Sequence, residues 1–308
     1  MSPPTEIEPT PPAACGQAVR FLLGGSCSDF LVASRAEALQ QHLRDERCRA
    51  DLWWARSGRG CVAAAMVVHN PGRTGLLLHS PAEANGVDRQ GLSQVIQAAA
   101  RQGLQGGLAF VQVMIDDGLE ADRAAVEAAG FEMLARLVHM RQSPPRGGAG
   151  EGPGLGWRTA RQFDSRELAA VIAATYEASL DCPRLSGARA IDDVLASHRT
   201  SGIYRPQSWW IVDVEGAAAG CVLMNDCTTM NAAEIVYLGV VPPFRGRGLA
   251  RAMLRRAADD ARARGLESIE LAIDERNVFA QRVYESECYR VTRRRWAYVM
   301  FGGDCAAH

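Results

Sequence analysis

The chain has 308 residues, 47% of them hydrophobic and 22% charged, with a net charge of −1. This length exceeds a common single core of ~100 to 150 residues and predicts two domains, while the balanced charge gives no call for nucleic acid or an anionic membrane as a partner. All 34 basic residues are arginine, which excludes a catalytic lysine.

In chain order, MSPPTEIEPTPPAA (residues 1–14) lacks the basic start and apolar run of a leader peptide and reads as a disordered, proline-rich tail. No stretch reaches the ~18 apolar residues of a membrane span. The nine cysteines (Cys15, Cys27, Cys48, Cys61, Cys182, Cys221, Cys227, Cys288 and Cys305) are scattered and never spaced CxxC. They indicate neither a zinc site nor a disulfide framework, and they fit a reduced, cytoplasmic protein with no metal. His69, His79, His139 and His198 stand in no nucleophile or metal pattern.

A first domain is expected over residues 15–142, with a helix from Gly91 (GLSQVIQAAA) and a strand over Gly107 to Asp116 (GLAFVQVMID). The Gly/Pro-rich stretch SPPRGGAGEGPGLG (143–156) reads as a linker. The second domain, 157–308, opens with a strand at Trp157 to Arg161, a helix at Ser165 to Ser179, an irregular Leu180 to Gly187 and a helix near Ile191 to His198. Strands follow at Ser208 to Val214, Ala218 to Asp226 and Glu234 to Val240. Next come an amphipathic helix at Leu249 to Arg264, a strand ending at Ile273, a helix at Asn277 to Glu287 and a strand pair near Tyr289 to Phe301.

GLAFVQVMID aligns without a gap on GLESIELAID (Gly265 to Asp274), and in the same register AAGF (128–131) falls on SECY (286–289). The helix from Gly91 mirrors the one from Gly248. Two copies of one α/β fold explain both the length and the linker, each a mixed, mostly antiparallel sheet flanked by helices.

The second copy carries LGVVPPFRGRGLA (238–250) between a strand and a helix. A helix N-terminus offers unpaired N–H groups and a positive dipole, glycine lets the backbone approach a ligand closely, and Arg245, Arg247 and Arg251 add charge; together they favour a phosphate. After the next strand, Asn277, Ala280 and Tyr284 lie at i, i+3 and i+7, able to face one ligand.

In these residues the chain resembles the Gcn5-related N-acetyltransferase (GNAT) superfamily. Arg245, Gly248 and Ala250 match its loop pattern Arg/Gln-x-x-Gly-x-Gly/Ala, behind Leu238, Val240 and Pro242 as Leu-x-Val-x-Pro. Asn277, Ala280 and Tyr284 match Asn-x-x-Ala-x-x-x-Tyr, although Cys288-Tyr289 stands where the family has Gly-Phe. The resemblance implies acetyl-CoA as co-substrate, held by Leu238, Gly239, Val240, Arg245, Gly246, Arg247, Gly248, Leu249, Ala250 and Asn277. It also implies Tyr284 as the acid that protonates the CoA thiolate. Glu234 is the candidate base; it is expected to share a face with Val236, Leu238 and Val240 on a regular strand. The reaction implied is direct attack by a primary amine, most simply that of a small molecule, in a monomer or homodimer.

Asp181, Arg184, Trp209, Trp210 and Asn225 are candidates for the acceptor wall. The short run Arg293 to Arg295 reads as a solvated strand edge or, alternatively, a contact for a 3′-phosphate. In the first copy Leu119 stands at the Asn277 position, Val126 at that of Tyr284 and Asp88 at that of Arg245, so that copy is expected to be degenerate. The tandem layout is similar to that of superfamily members that acetylate a cysteinyl pseudodisaccharide amine. Protein acetylation and a non-catalytic acyl-CoA-binding regulator remain the alternatives.

Overall fold

The computed structural model describes residues 5–24, 49–58, 60–84, 86–144, 154–227 and 230–303. The chain forms two compact units, residues 1–134 with 296–308, and residues 135–295. This division does not follow the expected linker, most of which (145–153) lies outside the described residues. The end of one strand from the first half belongs to the second unit, and the last strand of the chain ends in the first.

In the first unit, β1 (Thr5–Pro9), β2 (Ala50–Ser57), β3 (Gly60–Asn70) and β4 (Thr74–His79) are antiparallel neighbours. β5 (Phe110–Asp116) runs parallel to β4, with α1 (Cys15–Leu22), α2 (Arg89–Gln105) and α3 (Glu120–Ala128) between strands. Leu92, Val95, Ile96, Ala99 and Ala100 of α2 recur at helical spacing and are buried in the core, which explains the helical period of that segment. The expected disordered tail is corrected: Thr5–Pro9 pairs with Trp53–Ser57. Ile7 packs on the core, Glu6 and Glu8 bond Arg56, and Glu8 also accepts from the Trp54 indole. Pro9 is tolerated because an edge strand has an unpaired side.

The second unit holds β6 (Glu132–Gln142) from Ala135 on, β7 (Leu155–Thr159), β8 (Trp209–Val214), β9 (Ala217–Asp226), β10 (Ala232–Val240), β11 (Ser268–Asp274) and the first part of β12 (Arg290–Phe301). Strand order is β6-β11-β10-β9-β8-β7, antiparallel except for the β10/β11 pair. The chain end expected as a strand pair is this one continuous β12. On one face α6 (Leu249–Ala263) and α7 (Val278–Ser286) cover a core with Met253, Leu254, Ala257 and Tyr284. On the other, α4 (Ser165–Thr175) and α5 (Ile191–Thr200) cover Trp209, Ile211 and Leu223. The helix predicted to reach Ser179 stops at Thr175. α4 starts cleanly because the Asp164 carboxylate accepts the Glu167 N–H at 2.8 Å. Among the described residues, no helix is long and apolar enough to cross a membrane.

Candidate active site

β10 and β11 pair only at Ala232–Ser268, Ala233–Ile269 and Glu234–Glu270. Beyond that rung the strands part and leave a fork. Each side of it carries backbone donors. The Val241 N–H bonds Ala219 on β9, so by strand alternation the N–H groups of Leu238 and Val240 face the fork. Across it, the Glu275 N–H bonds Arg136 on β6, which turns the Asp274 N–H inward, where the Asp181 carboxylate accepts it at 2.8 Å.

A bulge between Ile235 and Tyr237 shifts the β9/β10 register. It corrects the expected face: Val236 and Tyr237 both pack under α4 and α5, while Leu238 and Val240 pack under α6 and α7. Glu234 lies in register with Asn225, which bonds Trp209 of the α4/α5 core. Tyr284 is buried in the opposite core, its ring 5.8 Å from that of Tyr289. The candidate base and acid therefore occupy opposite faces of the sheet. Burial, and then the adjacent Glu270, raise the pKa of Glu234 above the ordinary carboxylate value. Burial, and then Asp181, raise that of Tyr284, so its hydroxyl stays protonated across the physiological range.

At the end of β10 the chain turns through Pro242–Phe244 into α6. Gly246 (φ 76°) and Gly248 (φ 81°) both adopt the left-handed conformation, and nothing lies within 4 Å of where either would carry a Cβ. Gly248 caps α6 without a side-chain hydrogen bond, so the helix opens with its dipole uncovered. This arrangement fits a pyrophosphate. Leu249 is core, Ala250 is half-buried, and the Arg247 guanidinium stands 5.4 Å from the Phe244 ring centroid.

Arg245 does not direct its charge at the loop: it donates to the carbonyls of Val240 (3.0 Å), Thr175 (3.0 Å), Glu177 (2.7 Å) and Ala178 (3.4 Å), tying the loop to the end of α4. Gly239 makes room for α4, since a Cβ there would meet Thr175 Oγ1 at 2.7 Å. Asn277 is the N-cap of α7, its Oδ1 accepting from the Ala280 N–H at 3.2 Å, rather than a residue on the helix face. Cys288 keeps the turn of the absent glycine at φ 66°.

Of the acceptor candidates, Trp209, Trp210 and Asn225 are buried and belong to the cores. The Asn225 amide is fully used, accepting from Trp209 Nε1 (2.8 Å) and donating to the carbonyls of His198 (2.7 Å) and Ser201 (2.6 Å). Arg184 is exposed on a short helical turn. Asp181 alone is brought to the fork. Its surface is open, yet the protein mass around its carboxyl raises its pKa; the Asp274 N–H opposes that shift. Asp274, fully buried and ion-paired with Arg276 at 2.6 Å, is a fork residue that sequence reasoning missed. Its only signal was its place at the end of a strand.

The corresponding places in the first unit are closed by side chains. Asp88, expected at the position of Arg245, is instead the N-cap of α2 as Gly248 is of α6, and its carboxylate accepts from Gln90 N–H at 3.1 Å where the glycine leaves the helix end open. The Ala280 position is taken by Asp122. This buried carboxylate accepts the Ala82 N–H at 3.2 Å and lies 3.7 Å from His79 Nδ1, tying α3 to the end of β4. The His79 Nδ1–H donates to the Ser80 carbonyl, and burial lowers its pKa. Among the described residues, no cluster of side chains suits a metal ion.

A split parallel pair between a glycine-opened helix and a buried tyrosine is a fold of the GNAT type. The family model for the acetyltransferase (GNAT) family matches residues 172–288. The chain is 31% identical over 172 residues to a mycothiol acetyltransferase of Beutenbergia cavernae, covering 52% of this chain and 56% of that protein. Over 170 residues it is 29% identical to the mycothiol acetyltransferase of Thermobispora bispora, covering 53% and 57%. The chain thus spans just over half the length of these curated relatives. In fold it is similar to a GCN5-related N-acetyltransferase from Sphaerobacter thermophilus (TM-score 0.63, 18% identity, 97% of each chain). It is also similar to a tandem GNAT protein from the clavulanic acid biosynthesis pathway (TM-score 0.54, 14% identity, 97% and 99%).

Proposed function

We propose that the second unit transfers acetyl from acetyl-CoA to a primary amine of a small molecule. The observation that carries this reading is the fork, with a raised-pKa carboxylate on one face of the sheet and a protonated phenol on the other. An alkylammonium must lose a proton before it can attack, and a carboxylate with a raised pKa is a better match to that task at neutral pH. Glu234 takes the proton, directly or through water, and the amine attacks the thioester carbonyl while the Val240 N–H donates to the carbonyl oxygen. Tyr284 then gives its proton to the departing thiolate, and the second proton of the attacking nitrogen, released as the intermediate collapses to the amide, restores the phenol. Leu238 and the amides from Gly246 to Ala250 would hold the pantetheine and pyrophosphate.

A cysteinyl pseudodisaccharide amine is the first acceptor to try, given the names of the curated relatives. The filled positions at Asp88 and Asp122 support a first unit that takes no acetyl-CoA, so calorimetry is expected to give one equivalent per chain.

The test is release of CoA thiol from acetyl-CoA in the presence of a panel of amines. Tyr284→Phe is expected to lower turnover about a hundredfold with nearly unchanged acetyl-CoA affinity; unchanged turnover removes Tyr284 from the mechanism. Tight acetyl-CoA binding with no transfer to any amine would favour the regulator.

A further inference from the structure

On the α4/α5 face, one row of residues crosses adjacent strands in register: Asn225 on β9, Glu234 on β10, Glu270 on β11 and Arg141 on β6. In-register neighbours point to the same side, so the two glutamates stand next to each other across a parallel rung, an arrangement of like charges that disfavours ionising both. Asn225 cannot relieve it, because its amide is spent on Trp209, His198 and Ser201. Arg141 does, and from the far side. Its Nε and Nη2 donate to the same oxygen of Glu270 at 3.0 and 2.6 Å.

We infer that Glu270 and Arg141 form an electrostatic pair that sets the working pH of Glu234: Glu270 pushes proton affinity up, and Arg141 limits how far. Both are positioning residues, since neither is placed against the substrate. The inference rests on the reading of Glu234 as the base. The other groups near the row leave this control to the pair. Asp226, next to Asn225 and turned to the opposite face, is committed to Arg205 and Arg264, and Cys227 remains a neutral thiol with its pKa pushed up to about 11. From α5, His198 is neutral, its pKa brought down to about 4 by burial first and by Arg189 second. Arg141 precedes the linker in sequence and belongs to the second unit in space. The first half of the chain therefore supplies one element of the catalytic electrostatics.

The experiment measures the pH dependence of kcat/KM of the full chain at low ionic strength, beside a 13C-NMR titration of the Glu234 carboxyl, which reads the same pKa without turnover. Arg141→Gln frees the charge of Glu270 and is expected to move both the acidic limb and the titration up by about one pH unit, costing about tenfold in rate below the limb. Glu270→Gln is expected to move both down, the double variant to behave as Glu270→Gln alone, and Arg141→Lys to stay near wild type. Because Arg141 is half exposed, added salt should shrink the Arg141→Gln shift. Titrations of Arg141→Gln and Glu270→Gln that coincide with wild type would overturn the inference. If Arg141→Gln fails to fold, Glu270→Gln alone decides it. Full turnover in Glu234→Gln would instead remove the base, and the NMR titration would still report on the pair.

Discussion

Glu234 is held where ionising its carboxyl costs stability. Its pKa is raised in the folded chain, so the folded state is penalised as pH rises from the unfolded value through the folded one, and is free of that penalty in acid where both states are protonated. Glu234→Gln is therefore expected to raise the melting temperature at neutral pH, to leave it unchanged in acid, and to abolish turnover, as calorimetry and assay would show. Cys288 is a second strained residue, left-handed without being glycine. Cys288→Gly should stabilise the protein by up to ~1 kcal/mol in urea unfolding, the relief of the left-handed backbone being offset in part by chain entropy. The strand-to-helix turn at Gly246 and Gly248 was legible because it lies in a contiguous motif whose residue types are the signal. The buried Asn225 and the two tryptophans were not, since an amide or indole reads equally well as a ligand contact until its partners arrive from distant strands.

At the level of elements, the loop into α6 and the end of α4 form one piece, fastened by the Arg245 guanidinium. Arg245→Gln should cost about 1.5 to 3 kcal/mol of stability and weaken acetyl-CoA binding through a misplaced loop. Gly248→Ala should cost ~1 kcal/mol from its backbone alone, and calorimetry should show acetyl-CoA affinity lowered more than in any surface variant of α6. Helix and strand periods placed α6 and β11 closely. The bulge in β10 escaped because one extra residue leaves hydrophobic alternation nearly intact while reversing every later side chain, so Leu238 and Val240 face away from Glu234.

For the whole molecule, the repeat was visible as a register of matching segments, but its spatial partition was not, because strand pairing over long sequence distances leaves no local mark. The proline-rich start misled for a related reason: Glu6, Ile7 and Glu8 gain order only from Trp54, Arg56 and the core they meet. The exchange of strand ends between the two halves also changes what a break in the chain would do. A protease nick within 145–153 would leave one fragment carrying Ala135–Gln142, seated beside β11, and another carrying Trp296–Phe301, whose Tyr298 donates to Glu127 at 2.6 Å. Each fragment would own a strand of the other's sheet. The nicked protein should therefore co-elute as one species in native chromatography and separate only in denaturant. The fragment 157–308 expressed by itself should expose the bare edge of β11 and aggregate, with solubility restored by co-expressing residues 1–144.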